Sequence, residues 1–185
     1  VGDWYGATGT YTLSDGDLRV TSWEGIGHHS RGTFEQTGGT HTITGGLHLG
    51  NNSPGTGEYN LGGTGVLSAE SETIGTSGSA TFTQTGGTNT TETLTIKADP
   101  AGSGVYNLEG GTLEATTIVN NDRFNYSGGT LNGNFNNSAG ATFTLSGAGT
   151  RTVNGDVTND GLIKVTGATQ GTTALFTGTF VNNGI

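Results

Sequence analysis

The sequence predicts an all-β fold, a right-handed parallel β-helix (β-solenoid) of about eight coils with ~24 residues per coil. Three observations carry this prediction. An aromatic residue followed by a glycine pair recurs at a nearly constant interval, short apolar segments alternate with a period of two, and glycine supplies 37 of the 185 residues. The apolar positions also keep their register along the chain, which a disordered glycine-rich chain has no reason to do.

The recurring phrase begins with Tyr or Phe and reaches a Gly-Gly pair three or four residues later. Its first five leading aromatics are spaced 23, 25, 23 and 24 residues apart. Tyr followed two residues later by Leu alternates with Phe followed by Gln, so the full repeat is predicted to be a pair of coils of roughly 48 residues. We assign the leading aromatics to Tyr11, Phe34, Tyr59, Phe82, Tyr106, Tyr126 and Phe143.

Each repeat also contains a second apolar step, about 14 to 16 residues after the aromatic, as in Leu94-Thr95-Ile96. Such alternation predicts short strands with one buried face. The glycine pairs suit the corners between strands, because glycine accepts a positive φ without a Cβ clash. Coils of a parallel solenoid stack at about 4.8 Å, so the predicted rod is roughly 35–40 Å long.

The chain is predicted to be a single solenoid over residues 1–185, with two types of repeat. Residues 1–115 hold the regular Tyr/Phe and Gly-Gly coils, and residues 116–185 hold shorter, Asn-rich coils. In the second part an apolar residue is followed by Asn, which predicts a turn with Asn in the αL region and its amide in a ladder with the next coil. These words are Val119-Asn120-Asn121-Asp122, Phe135-Asn136-Asn137-Ser138, Val157-Thr158-Asn159-Asp160 and Val181-Asn182-Asn183-Gly184.

Composition excludes several function classes. The net charge is −9 and only six residues are Lys or Arg, which argues against nucleic acid as a partner, since phosphate binding needs clustered cations. No apolar run approaches the ~20 residues of a membrane helix. The absence of cysteine rules out disulfides and thiolate metal ligands, and is compatible with an exported protein. Because the first residue is Val1 and not Met, we expect a processed product or part of a longer chain.

The phrases at 34–40 and 82–88, Phe-x-Gln-Thr-Gly-Gly-Thr, and the Tyr-x-Leu phrases at 59–63 and 106–111 resemble repeats of bacterial autotransporter passengers. They also resemble Gly-rich, surface-sorted β-helix proteins of Gram-negative bacteria. The later Val-x-Asn words are similar to autotransporter-associated repeats. The resemblance covers about residues 10–185 and implies an extracellular or cell-surface protein that acts as an adhesin, a matrix component or a filament builder.

Parallel β-helices also include polysaccharide lyases and hydrolases, which need clustered carboxylates. Two carboxylates at i and i+2 on a strand face the same side and could line a groove, although a solubilising outer face is the commoner arrangement. No catalytic phrase stands beside any of these residues, so no catalytic residue is predicted and the chain is not expected to be an enzyme. The candidate pairs are Asp15 with Asp17, Glu70 with Glu72, and Asp156 with Asp160.

No metal or cofactor site is predicted. The histidines lack zinc-type spacing and are expected to be solvated loop residues, although His41 and His48 could meet on neighbouring strands. A calcium β-roll phrase fails because Leu67 stands where Asp belongs. The histidines are His28, His29, His41 and His48. Glycosylation sequons begin at Asn51, Asn89, Asn125 and Asn136. The two tryptophans, Trp4 and Trp23, are candidates for sugar platforms or for closing the N-terminal end of the column.

The sequence thus favours a structural protein at the cell surface, as an adhesin or matrix stalk or as a head-to-tail filament subunit. The repeat runs to both ends without a polar cap, and terminal coils expose strand edges, so we expect either a fragment of a longer chain or ends that stack on other subunits as a filament. Its partners would be further copies of the chain, stacked end to end, and a surface polysaccharide or a host or matrix component. The alternative is a polysaccharide-binding or polysaccharide-degrading β-helix, which a groove lined by carboxylates and aromatics would favour.

Overall fold

The computed structural model describes residues 1–4, 6–167 and 171–185 of the chain. Regular secondary structure in these residues is strand alone, and no helix among them is long and apolar enough to cross a membrane. The seventeen strands are β1 (Thr8–Leu13), β2 (Asp17–Val20), β3 (Glu24–Ile26), β4 (Arg31–Gln36), β5 (Thr40–Leu49), β6 (Thr56–Leu61), β7 (Val66–Ile74), β8 (Ser79–Ile96), β9 (Ser103–Asn120), β10 (Arg123–Tyr126), β11 (Thr130–Asn137), β12 (Thr142–Ser146), β13 (Gly149–Asn154), β14 (Val157–Asn159), β15 (Leu162–Thr166), β16 (Thr172–Phe176) and β17 (Phe180–Asn182).

The strands wind into a parallel β-solenoid with three faces. The first face stacks β1, β4, β6, β8, β9, β10, β12 and β15, which gives eight coils. The second face begins with β2 and ends with β16, and the third begins with β3 and ends with β17. The longest strands, β8 and β9, run around all three faces, 18 residues each. The predicted solenoid of about eight coils is confirmed.

Stacked aromatic rings form the core behind the first face. Phe34, Tyr59, Phe82 and Tyr106 are fully buried, and their ring centroids follow one another at 4.7, 4.9 and 4.7 Å with interplanar angles of 8° or less. This separation matches the spacing of hydrogen-bonded strands, about 4.8 Å, because each ring stands on the strand directly above its neighbour. The predicted alternation of Tyr and Phe is therefore one continuous column.

The sixth coil corrects one assignment from the sequence. Its leading aromatic is Phe124, which pairs in register with Tyr106 below and Phe143 above. Tyr126 lies two residues later, in register with Leu108, at the position that holds Gln in the earlier Phe coils. The sequence-based assignment was wrong because Phe124 and Tyr126 are both aromatic, and either one fits the approximate repeat spacing.

The glycine pairs lie at the corner between the first and second faces, as predicted. The second glycine of each regular pair has a positive φ: +67° at Gly39, +56° at Gly63, +67° at Gly87 and +72° at Gly111. A side chain at such a position would be strained, since L-residues rarely adopt this region. The glycine pair is thus a requirement of the turn itself.

Asparagine side chains form a ladder at the end of the third face. Asn120 donates to Asn137 at 2.7 Å, Asn137 to Asn159 at 2.6 Å, and Asn159 to Asn182 at 2.6 Å. The predicted ladder is confirmed, but the predicted αL backbone is wrong: Lys97 is the one non-glycine residue with a positive φ in the described ranges. The Asn side chains ladder from inward strand positions, where three of the four are buried.

Candidate functional site

Two of the three predicted carboxylate pairs lie on the outer surface. Asp15 and Asp17 are exposed at the start of the second face. Asp156 and Asp160 are exposed on either side of β14. Asp156 accepts a hydrogen bond from the backbone N–H of Thr179 at 2.7 Å, which ties it to the next coil. These aspartates lie in turns or next to them, at the exposed surface.

The third pair, Glu70 with Glu72, does not share a face as predicted. Glu70 is exposed, whereas Glu72 is fully buried. The chain turns the corner between the second and third faces here, and strand pairing passes over Glu70: Ala69 and Ser71 are in register with the next coil, and Glu70 is not. The i, i+2 argument holds only along a straight part of a strand, and the corner inside β7 places the two side chains on opposite sides.

Glu70 instead borders a groove along that corner, of about 410 Å³, together with Glu92 of the following coil. Threonine and serine side chains supply most of the remaining lining. No aromatic residue lines this groove, since the stacked rings are buried inside the column. The groove therefore has the carboxylates that a polysaccharide site needs and lacks the aromatic platform.

His41 is fully buried, which corrects the expectation of a solvated loop histidine. It lies in what we call the first polar network, formed by Glu24, Gln36, His41 and Tyr59. His41 Nε2 is 2.8 Å from a carboxylate oxygen of Glu24, and Nδ1 is 3.0 Å from the Tyr59 hydroxyl. Tyr59 donates to Gln36 Oε1 at 2.6 Å. His41 also stacks on the ring of Phe34, with centroids 4.7 Å apart.

The hydrogen bonds determine which atom donates in each contact of the first polar network except the one between Glu24 and His41. The Gln36 amide nitrogen donates to the carbonyls of Gly39 and Val66, so its oxygen must face Tyr59 as an acceptor. Burial raises the pKa of Tyr59 well above its usual value, so the hydroxyl stays protonated and donates to Gln36. His41 Nδ1 must therefore carry a proton for the Tyr59 oxygen. The remaining contact, between Glu24 and His41 Nε2, then also requires a proton, held by one of the two groups.

A second polar network repeats the first two coils later. It consists of Glu72, Gln84, Asn89 and Tyr106; three of these positions are offset by 48 residues from their counterparts and the fourth by 47. Asn89 donates to Glu72 at 3.0 Å and to the Tyr106 oxygen at 3.2 Å, and Tyr106 donates to Gln84 at 2.7 Å. The roughly 48-residue double coil is thus a physical unit, because each Tyr coil bonds to polar groups of its neighbours. Burial of Asn89 also removes it as an accessible glycosylation acceptor.

The two networks differ where His41 is replaced by Asn89. A neutral amide cannot balance a carboxylate, and the site of Glu72 is fully buried. Burial raises the pKa of Glu72 to about 7, against the opposing effect of its hydrogen bond from Asn89. Glu72 Oε1 and Asn89 Oδ1 have no hydrogen-bond partner among the described residues. The tyrosine rings of both networks, Tyr59 and Tyr106, are fully buried.

A further cluster of polar and aromatic side chains lies at one corner of the first coils. We call it the N-terminal corner, and it consists of Asp3, Trp23, His28 and His29. Ligand atoms of Asp3, His28 and His29 all lie within 4.8 Å of one another. Trp23 is 52% exposed and its ring centroid is 5.7 Å from that of His28. A cavity of about 150 Å³ is lined by Asp3, Trp23 and His28, among others. Trp4, which is 80% exposed, does not close the column.

Sequence reasoning missed Asp3 and Glu24 as members of these clusters. Asp3 is brought to the histidines by a coil closure that no local spacing reveals, and Glu24 lies at an inward position of the very short strand β3. The 48-residue offset between Glu24 and Glu72 was the available signal for the second case. Searches against protein-family models, curated proteins and solved structures found no match, so the assignment of function depends on this geometry.

Proposed function

We propose that the chain is a structural rod of the extracellular space or cell surface, of the autotransporter-passenger-like kind that the repeat words resemble. In this role it serves as an adhesin or matrix stalk, or as a subunit that stacks head to tail into a filament. One observation carries the proposal: the buried polar side chains bond one coil to the next instead of converging on an accessible site. The two polar networks and the asparagine ladder are the clearest cases.

Stiffness follows from this arrangement. Three parallel strand ladders, the ring column and the asparagine ladder all run along the rod axis. Bending would have to open ladder hydrogen bonds on one side and compress stacked rings on the other, and packed interiors resist both. Eight coils at about 4.8 Å give a rod of roughly 35 Å. A net charge of −9 spread over a Thr- and Asn-rich exterior supports solubility of such a rod.

The eighth coil has an exposed strand edge, which the end-to-end version would pair with a second copy of the chain. Leu175, Phe180 and Val181 are 48, 44 and 43% exposed there, and β15, β16 and β17 each pair on one side. A further β-coil would bury these side chains and pair the open strand edges. At the other end, Tyr11 stacks on Phe34 as the first ring of the column and is 40% exposed, so its outer face is open to a ring from another copy.

Electron microscopy of the purified chain tests the filament version. Rods that elongate with concentration are expected, and Phe180→Lys should block elongation because a charge enters the stacking surface. Val66→Lys is the matched control, since Val66 is 39% exposed on the second face, a lateral surface of the rod. Short monodisperse rods at all concentrations would contradict head-to-tail assembly and leave the stalk role.

The alternative, a polysaccharide-active β-helix, is favoured by the groove beside Glu70 and Glu92. Incubation with acidic and neutral polysaccharides, followed by measurement of new reducing ends, separates it from the structural role. We expect no chain cleavage. Cleavage by the wild-type chain that Glu70→Gln or Glu92→Gln abolishes would overturn the structural proposal.

A further inference from the structure

The N-terminal corner contains a donor set of the type that binds transition metals. His28 and His29 follow β3 at the turn into β4, and Asp3 reaches the same turn from the start of the chain. The two imidazoles are half-buried and the Asp3 carboxylate is exposed. His29 Nδ1 lies 3.7 Å from an oxygen of Asp3. Two imidazole nitrogens and one carboxylate oxygen suit zinc and its neighbours better than calcium or magnesium, which prefer oxygen alone.

Side chains of the next coil hold the imidazoles in place. The same turn one coil later has Asn51 and Asn52 where this coil has His28 and His29. The Asn51 amide lies 3.0 Å from Nδ1 of His28, and the Asn52 amide lies 3.0 Å from Nε2. Asn52 also contacts His29 Nε2 at 3.3 Å. A His28 nitrogen that binds a metal must exchange its Asn contact for the ion, and the other nitrogen then keeps its Asn partner, as the outer contacts of ligating imidazoles do.

The separations require only a small closure around an ion. Ligands at about 2.0–2.1 Å from a tetrahedral zinc ion lie roughly 3.3 Å apart. The ligand atoms here lie within 4.8 Å of one another, so the three side chains must draw closer together around the ion. The Asp3 side chain is exposed, and the adjoining cavity of about 150 Å³ leaves room for a water as fourth ligand. We propose that Asp3, His28 and His29 form a three-ligand site for Zn²⁺ or a similar divalent transition metal.

Two measurements on the untagged chain test this site. Calorimetric titration with Zn²⁺ should give one ion per chain, and His28→Ala and Asp3→Asn should each weaken binding by about tenfold or more. Asp3→Asn changes an exposed side chain, so it keeps the test valid if His28→Ala disturbs the fold. Titration with paramagnetic Cu²⁺ should quench tryptophan emission, because the Trp23 ring lies 5.7 Å from that of His28.

His48→Ala provides the matched control. The His48 ring is also near Trp23, at 6.1 Å, but it is outside the ligand set. This variant should bind Zn²⁺ with an affinity within about twofold of that of the wild-type chain. The two ligand variants should lose binding while their circular dichroism spectra stay the same as that of the wild-type chain. Absence of saturable binding to the wild-type chain would overturn the proposal, and so would equal weakening by His48→Ala.

Discussion

Glu72 offers the sharpest test of the buried chemistry. Its carboxyl is fully buried, accepts one hydrogen bond from Asn89, and has a second oxygen without a partner among the described residues. Glu72→Gln keeps the shape of the side chain and the acceptor for Asn89 while removing the ionisable group. The variant therefore isolates the cost of a buried charge from the cost of lost packing.

The size of the effect follows from the pKa of Glu72. Burial raises that pKa from 4.5 to about 7, so the folded state holds the proton more tightly than the unfolded state does. The contribution to stability is complete below pH 4.5, and it is lost progressively as the pH rises through 7. A difference of this size corresponds to about 3 kcal/mol of unfolding free energy, at about 1.4 kcal/mol per pKa unit. Glu72→Gln should be more stable than the wild-type chain at pH 8 by up to that amount.

Urea unfolding at several pH values between 4 and 8, followed by circular dichroism, measures this difference. The wild-type chain should lose stability between pH 4.5 and 7, and Glu72→Gln should lose much less. Glu70→Gln is the control, since Glu70 is exposed two residues earlier and should leave the pH dependence unchanged. An identical pH dependence in the wild-type chain and in Glu72→Gln would show that Glu72 titrates normally, and the burial argument would fail.

Three further stability predictions can be checked by the same urea assay. Asn137→Ala interrupts the asparagine ladder and leaves buried amides unpaired, so it should cost about 3 kcal/mol, while exposed Asn136→Ala should cost little. Tyr59→Phe should cost about 1–3 kcal/mol, because it leaves a buried glutamine oxygen without its donor. Gly75→Ala should cost about 2 kcal/mol more than Gly140→Ala: both glycines have φ near +80°, but only at Gly75 would a Cβ collide with a neighbouring backbone carbonyl. Equal losses within either matched pair would contradict these assignments.

The sequence was sufficient for the fold because the repeat supplies the same information many times. Each Phe or Tyr with its glycine pair specifies an inward ring and a corner of positive φ, and errors in one coil are corrected by its neighbours. Tyr126 shows the limit of this redundancy. Its hydroxyl shares one proton between the carbonyls of Gly129 and Thr152, at the place where the amide of Gln84 donates to the carbonyls of Gly87 and Thr112. Spacing alone does not reveal that a Tyr in one coil takes the place that Gln has in another.

The candidate sites were less predictable because they depend on which side of a corner a residue falls. Glu70 and Glu72 have the spacing of one strand face, yet a corner between them places one outside and one inside. His41 reads as a polar loop residue until the coil below brings Glu24 within 2.8 Å. A local pattern shows that side chains alternate between two faces along a strand, but it does not show where a corner interrupts that alternation. Buried polar clusters can therefore be identified only once the coils are stacked in register.

The comparison of the two polar networks leads to a last prediction, Asn89→His. His41 and Asn89 stand beside equivalent ring pairs, with centroid separations of 4.7 Å for Phe34 with Tyr59 and for Phe82 with Tyr106. An imidazole at position 89 would therefore meet the carboxylate of the second network as His41 meets Glu24, and would share a proton with it. The carboxyl pKa should then fall, and most of the loss of stability between pH 4.5 and 7 should disappear. Thr90→His, on the exposed side of the same strand, should retain that loss. If Asn89→His unfolds with the wild-type pH dependence, an imidazole at this position does not lower the pKa of the Glu72 carboxyl.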